Sequence, residues 1–184
     1  FPTIGFWIAG RLTAWSKPRL LILFGLICAQ GAVGWWMVAS GLVDRVDVAH
    51  ERLAVHLTIA CGVFVYAVAL AHAHRSTVPA AKASKSGWAA ALVGLTLVQI
   101  FIGGLVAGLD AGMAYNTWPT MNGALIPDGL WTITPAWLNL FDNAMMVQFL
   151  HRMTAYSLLA LALWHVVAVR RSSPEFFGGS VLLL

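Results

Sequence analysis

Hydrophobic residues in this chain run in unbroken blocks rather than in an alternating or striped pattern. Four blocks, at about 20–43, 52–72, 88–109 and 144–169, each approach the roughly 20 residues that carry an α-helix across a bilayer. Residues 1–10 read as the tail of a helix, and the run from Val181 to Leu184 as the start of another. The pattern predicts an all-α polytopic membrane protein, with transmembrane helical bundles of which four helices are complete and two partial. It also reads as the internal segment of a longer protein. Polar stretches separate the blocks: a basic one around Arg11, Lys17, Pro18 and Arg19, the loop 44–51, a basic stretch over 74–87, and Arg170, Arg171 and Pro174. The stretch 110–143 is different in kind. A loop of that length in a compact protein points to function.

Composition agrees with the pattern. The chain is 60% hydrophobic and 10% charged, with a mean hydropathy of +0.80, outside the range of soluble domains. The formal net charge of +4 is spread over short loops rather than gathered in one patch, so nucleic acid is not an expected partner. Cys28 and Cys61 match no metal or disulfide spacing and read as small residues inside helices. No phosphate-binding loop, dinucleotide fingerprint, zinc motif or nucleophile elbow is present.

Charge predicts the orientation. Arg11, Lys17, Arg19, Arg75, Lys82, Lys85, Arg170 and Arg171 fall on one side, and Arg45, Arg52 and Arg152 toward the other. Asp44, Asp47, Glu51, Asp110, Asp128 and Asp142 show the reverse bias against Glu175. The positive-inside rule makes the basic loops cytoplasmic. His56 and His151 then lie one to two turns below the outer surface, at matching depth.

Those two histidines are the leading candidates for chemistry. An ionisable side chain inside a membrane helix is costly and is a functional candidate by default, and a neutral imidazole in apolar surroundings suits iron. Both therefore read as candidate axial heme ligands, or as histidines hydrogen-bonded to a neighbouring helix. An alanine follows each at the i+4 position, Ala60 and Ala155, on the same helix face, leaving room for a flat macrocycle. Arg52 lies one turn before His56 and Arg152 is adjacent to His151. Either can pair with an anionic propionate or snorkel to headgroups. A weak repeat accompanies them. Gln30 to Gly34 in one block matches Gln99 to Gly103 in another, each followed by an outer loop and a helix led by histidine.

Three further features carry two readings each. His72, His74 and His165 lie near the opposite end. His151 to His165 spans about 21 Å of helix and His56 to His74 about 27 Å, the layout of a transmembrane di-heme cytochrome b, or else interfacial histidines beside Arg75 and Arg170. Gly104 and Gly108 form GxxxG, with Gly112 continuing the spacing, for close helix packing or for clearance of a porphyrin face. The long loop, with Tyr115, Trp118, Trp131, Trp137 and Phe141, reads as an aromatic belt, as a lid over a heme site or as a docking surface. Asp110 is a candidate proton relay or an ordinary helix-terminal acid.

Taken together, Gly103 to Met121, Asn139 to Asn143, Gln148 to Tyr156, Gly34 to Leu42 and Arg52 to Leu57 closely resemble the heme A synthase family, in its α-proteobacterial and mitochondrial form. The resemblance covers essentially the whole chain. It implies an eight-helix fold of two four-helix halves. Residues 1–87 would be the second half of the N-terminal, substrate-heme bundle. Residues 88–184 would be the first part of the C-terminal, heme b bundle. The resemblance implies that His56, as the catalytic-site residue, holds the iron of the heme O substrate, and that His151 ligates heme b. Each would pair with a histidine beyond this segment, with Arg52 and Arg152 near the cofactors. The implied reaction oxidises the C8 methyl of heme O to the formyl of heme A by successive hydroxylations, for cytochrome c oxidase biogenesis. Implied partners are the lipid bilayer, a heme O synthase (farnesyltransferase), the cytochrome c oxidase assembly machinery and an electron donor that the resemblance does not name. A homo-oligomer is compatible with the pattern. The implied location is the cell inner membrane, or the mitochondrial inner membrane in a eukaryote.

Overall fold

The computed structural model describes residues 2–41, 47–75 and 86–172. Its helices are α1 (Pro2–Ile8), α2 (Ser16–Val38), α3 (His50–Arg75), α4 (Ser86–Gly108), α5 (Ala111–Ala114), a 3-10 turn at Ala136–Leu138, α6 (Asn139–Asp142) and α7 (Ala144–Ser172). Among the described residues there is no strand, and Met121 and Ala124 form an isolated antiparallel bridge. Four helices, α2, α3, α4 and α7, are long and apolar enough to cross a membrane. The chain is an all-α polytopic membrane protein. Arg45, Asp44, Lys82, Lys85, Pro174, Glu175 and the closing apolar run lie outside the described residues.

The helix ends differ from the hydrophobic pattern for local reasons. α2 begins at Ser16, so Lys17 and Arg19 lie in its first turn rather than in a loop. Backbone N–H groups there have no intrahelical acceptor, and Pro18 is tolerated. Arg19 donates to the Trp15 carbonyl at 2.7 Å and lies 4.2 Å over its ring. α2 stops at Val38, short of the expected 43. Ser40 donates to the Met37 carbonyl at 2.6 Å and accepts the Ala49 N–H at 2.8 Å, which folds the chain back toward α3.

Consecutive spans are neighbours: α2 packs on α3, α3 on α4 and α4 on α7. The closest approach is between α3 and α4. A Cβ at Gly104 would lie 2.6 Å from the Ala54 Cα, and one at Gly108 would lie 2.6 Å from the His50 Cβ. The GxxxG pair is thus a packing device that lets two backbones touch, and the clearance it provides is taken up by α3. One turn along, Ala54, Leu105 and Val147 close a small core shared by α3, α4 and α7, flanked by Phe101, Ile102 and Phe141. Elsewhere the large apolar side chains face outward, Phe64 at 68% and Leu159 at 55% exposure, as lipid-facing helix surfaces require.

The long segment after α4 folds back as an ordered cap on one end of the bundle. Two asparagines organise it. Asn139 accepts the N–H groups of Thr132 and Ile133 at 3.0 Å each and donates to the carbonyls of Ile133 and Ala136. Asn143 donates to the carbonyls of Gly129 and Leu130, and its oxygen accepts from Met145 and Met146, so it also caps α7.

Candidate functional site

His56 is the seventh residue of α3 and His151 the eighth of α7. Ala54 and Val147 meet at the same core cluster, so the two histidines sit at a similar level beneath the capped end. They do not face each other. Each has its own cleft against the preceding long helix, and the two clefts are built alike.

In the first cleft, Gln30 and Gly34 of α2 lie one turn apart on the face turned toward α3. The Gln30 Nε2 lies 3.0 Å from His56 Nδ1 and 3.3 Å from its Nε2, nearly equidistant from the two ring nitrogens. It also donates to the His56 carbonyl at 2.9 Å. A Cβ at Gly34 would lie 3.0 Å from His56 Cε1, so the ring occupies the space a side chain would take. In the second cleft, Gln99 and Gly103 of α4 repeat the arrangement. Gln99 Nε2 lies 3.1 and 3.2 Å from the two ring nitrogens of His151, and a Cβ at Gly103 would lie 3.2 Å from Cε1. Both histidines are half-buried. The amide oxygens of Gln30 and Gln99 are buried and have no hydrogen-bond partner. The sequence repeat therefore has a structural meaning that spacing alone did not give. Glutamine and glycine form the floor on which each histidine ring lies, across 26 residues in one cleft and 52 in the other.

The two arginines have different surroundings. Arg52 is at the rim of the first cleft, donating to the Trp36 carbonyl at 2.8 Å, with its guanidinium 4.5 Å over the Trp36 ring. Arg152 is committed to the cap. Its guanidinium donates to the carbonyls of Thr117 and Tyr115 at 2.6 Å each and to that of Thr120 at 3.3 Å. Gln148 reaches the same Tyr115 carbonyl at 3.2 Å, and Trp118 donates to the Tyr156 hydroxyl at 2.9 Å. A further contact, missed in the sequence, joins the cap to α3: His50 Nε2 lies 2.9 Å from the Asp142 carboxylate. Nothing in the spacing of two residues so far apart announces it.

The remaining candidates fall elsewhere. His74 stacks on Trp15 and lines a cavity of about 350 Å³ between α1, α2 and α3. His165 lines a separate cavity of about 480 Å³ between α3, α4 and α7, with Cys61 and Thr96. The two do not share a site. His72 and Cys28 are exposed, and Asp110 is exposed with a left-handed backbone, φ 53°, between α4 and α5.

A sequence model of the family described as "Cytochrome oxidase assembly protein" (COX15-CtaA) matches residues 1–184. The chain belongs to the cytochrome oxidase assembly protein family. Curated relatives in it are named heme A synthase. The protein of Chelativorans sp. (strain BNC1) is 56% identical over 176 residues, covering 95% of this chain and 48% of the relative. That of Sinorhizobium medicae (strain WSM419) is 48% identical over 177 residues, with 95% and 48% covered. That of Brucella ovis is 49% identical over 173 residues, with 92% and 48% covered. The chain spans about half the length of the curated relatives it matches. No solved structure matches. Family membership and the paired clefts are independent observations, one from sequence likeness and one from geometry.

Proposed function

We propose that the protein acts as a heme A synthase of an inner membrane, oxidising the C8 methyl of heme O to the formyl of heme A for cytochrome c oxidase biogenesis. The observation that carries this reading is the pair of equivalent histidine clefts in a chain whose relatives bear that name. One cleft would serve a resident cofactor and the other a substrate of the same shape.

The residues fit a heme. Each imidazole is half-buried in an apolar helix surface, with no side chain on the facing glycine and a small alanine one turn further along its own helix. Buried glutamine oxygens without partners stand beside both rings, which is unusual unless the site holds a polar group's complement. In this reading His151 holds heme b, which supplies redox chemistry when bound, and His56 holds the iron of heme O. Residues 1–87 form the substrate half and 88–184 the heme b half. Arg52 and Arg152, at the capped end, offer positive charge to propionates. Positive-inside charge puts that end outside the cytoplasm.

The reaction is two successive hydroxylations at one carbon, after which the twice-hydroxylated carbon loses water to leave the formyl group. The chain's contribution is binding and exclusion. The clefts fix the macrocycle relative to the helices, and the cap held by Arg152 and Asn143 limits water at the mouth. Each hydroxylation removes two electrons from the carbon and adds one oxygen atom, so an external oxidant is required; with dioxygen in that role, a separate electron donor supplies the two electrons that, with two protons, take its second oxygen atom to water. A heme O synthase would supply the substrate, and the oxidase assembly machinery would take the product.

Membranes carrying the native protein and supplied with heme O test this directly. Extracted pigment should contain heme A, absent from membranes lacking the protein. Two tightly held b hemes with no heme A would instead make it an electron-transfer cytochrome b.

A further inference from the structure

The cavity of about 480 Å³ between α3, α4 and α7 belongs to neither histidine cleft, yet it ends beside one of them. Its volume is in the roughly 300–1,000 Å³ range of small-molecule sites. The wall is apolar except for three groups: the His165 ring, the Thr96 hydroxyl and the Cys61 thiol. Thr96 donates its proton to the Leu92 carbonyl at 2.8 Å, so what its oxygen still offers is a lone pair. The His165 ring is half-buried on a membrane-spanning helix and makes no hydrogen bond to any described residue. A polar ring so placed is costly unless a polar group meets it, and a lipid tail brings none. His74, in the other cavity, already has a partner in the Trp15 ring on which it stacks.

Position matters as much as lining. Ile100 lines the cavity and directly follows Gln99, which touches the His151 ring. Leu158 lines it from α7, seven residues after His151, about 10 Å along the helix. At the other end, His165 is within two turns of the close of α7, where Arg170 and Arg171 stand. We propose that this cavity binds a lipid-soluble hydroquinone and is the entry point for the electrons that the reaction consumes. The inference rests on the heme b reading of His151. His165 accepts a hydrogen bond from a hydroxyl of the hydroquinone, and Thr96 offers a second acceptor. Oxidation to the quinone releases two electrons and two protons. The electrons pass singly to the iron held at His151, across about 10 Å of packed helix. His165 takes the hydroxyl protons in turn and passes them to water at the Arg170 end. With dioxygen as oxidant, each hydroxylation draws two electrons, so one hydroquinone is consumed per hydroxylation. The two protons that take the second oxygen atom to water balance the two released.

The test uses the native protein solubilised in detergent, with two readouts. In the first, decylubiquinol is mixed anaerobically with the oxidised protein and reduction of the bound heme is followed by absorbance. His165→Leu removes the acceptor and Ala162→Phe fills the cavity. Both should slow reduction by on the order of tenfold, as loss of a buried hydrogen bond or of the site requires, and leave the oxidised spectrum unchanged. His74→Leu, in the other cavity, should reduce at the wild-type rate. In the second, a photoreactive azido-decylubiquinone should label peptides within 89–100 and 158–165, and Ala162→Phe should abolish that labelling. A wild-type rate in either cavity variant, or label placed elsewhere, would overturn the inference. Labelling displaced by phosphatidylcholine as readily as by decylubiquinone would make the cavity a lipid site and also overturn it. Should His165→Leu not accumulate in the membrane, Ala162→Phe decides alone. Failure of the underlying reading would show separately, as wild-type protein that holds no heme, and the labelling would still decide whether the cavity takes the quinone.

Discussion

Arg152 holds the Tyr115 carbonyl at 2.6 Å, and this contact ties the first part of the cap to the helix that carries His151. The adjacent residue on α7 lies on the Gln99 floor, so one turn of helix anchors both the cleft and its cover. The same guanidinium also reaches Thr117 and Thr120.

Arg152→Lys keeps the charge but loses the planar fork that spans three carbonyls. Charged hydrogen bonds contribute on the order of 2 kcal/mol each, so the segment 115–121 should open more often than the rest of the cap. Hydrogen exchange should show faster exchange there in Arg152→Lys, and Arg152→Gln should be faster still. The cap around Asn139 and Asn143, held by its own asparagine bonds, should stay protected. Uniform exchange across both segments would count against Arg152 as the tie.

Gly104 tests the α3 and α4 contact. A methyl group there meets Ala54 backbone at 2.6 Å, so the helices must separate. Gly104→Ala should lower the thermal midpoint and cost about 1–3 kcal/mol, as overpacking does. Gly94→Ala, on the same helix with open space around it, should be neutral or slightly stabilising. Equal effects at both positions would show that the GxxxG contact is not the close one described.

Much of this architecture was legible in the sequence because the bilayer imposes it. Apolar blocks of spanning length leave little choice of fold, and a histidine within such a block stands out by its cost. The partners of those histidines were harder to read. The Gln30 to Gly34 and Gln99 to Gly103 repeat was visible, yet its meaning needed the packing of α2 on α3 and of α4 on α7. Helix periodicity says which residues share a face and not which helix that face meets. The cap was legible only as an aromatic-rich loop, with a belt, a lid and a docking surface as its readings. Its actual supports are asparagine side chains on backbone carbonyls and the Arg152 fork, contacts that follow from the path of the chain and leave no pattern. Trp118, Trp131 and Trp137 remain outward-facing, as a belt requires, while Phe141 packs inward on Phe101.

The central claim is that His151 and His56 serve different hemes in separate clefts. Paired alanine variants of the native protein measure it most directly, by absorption spectra of the purified proteins and by heme extraction. His151→Ala should lose the bound heme b spectrum. His56→Ala should keep that spectrum and lose heme A formation. A normal low-spin heme spectrum in His151→Ala, or loss of heme b in both variants alike, would contradict the account.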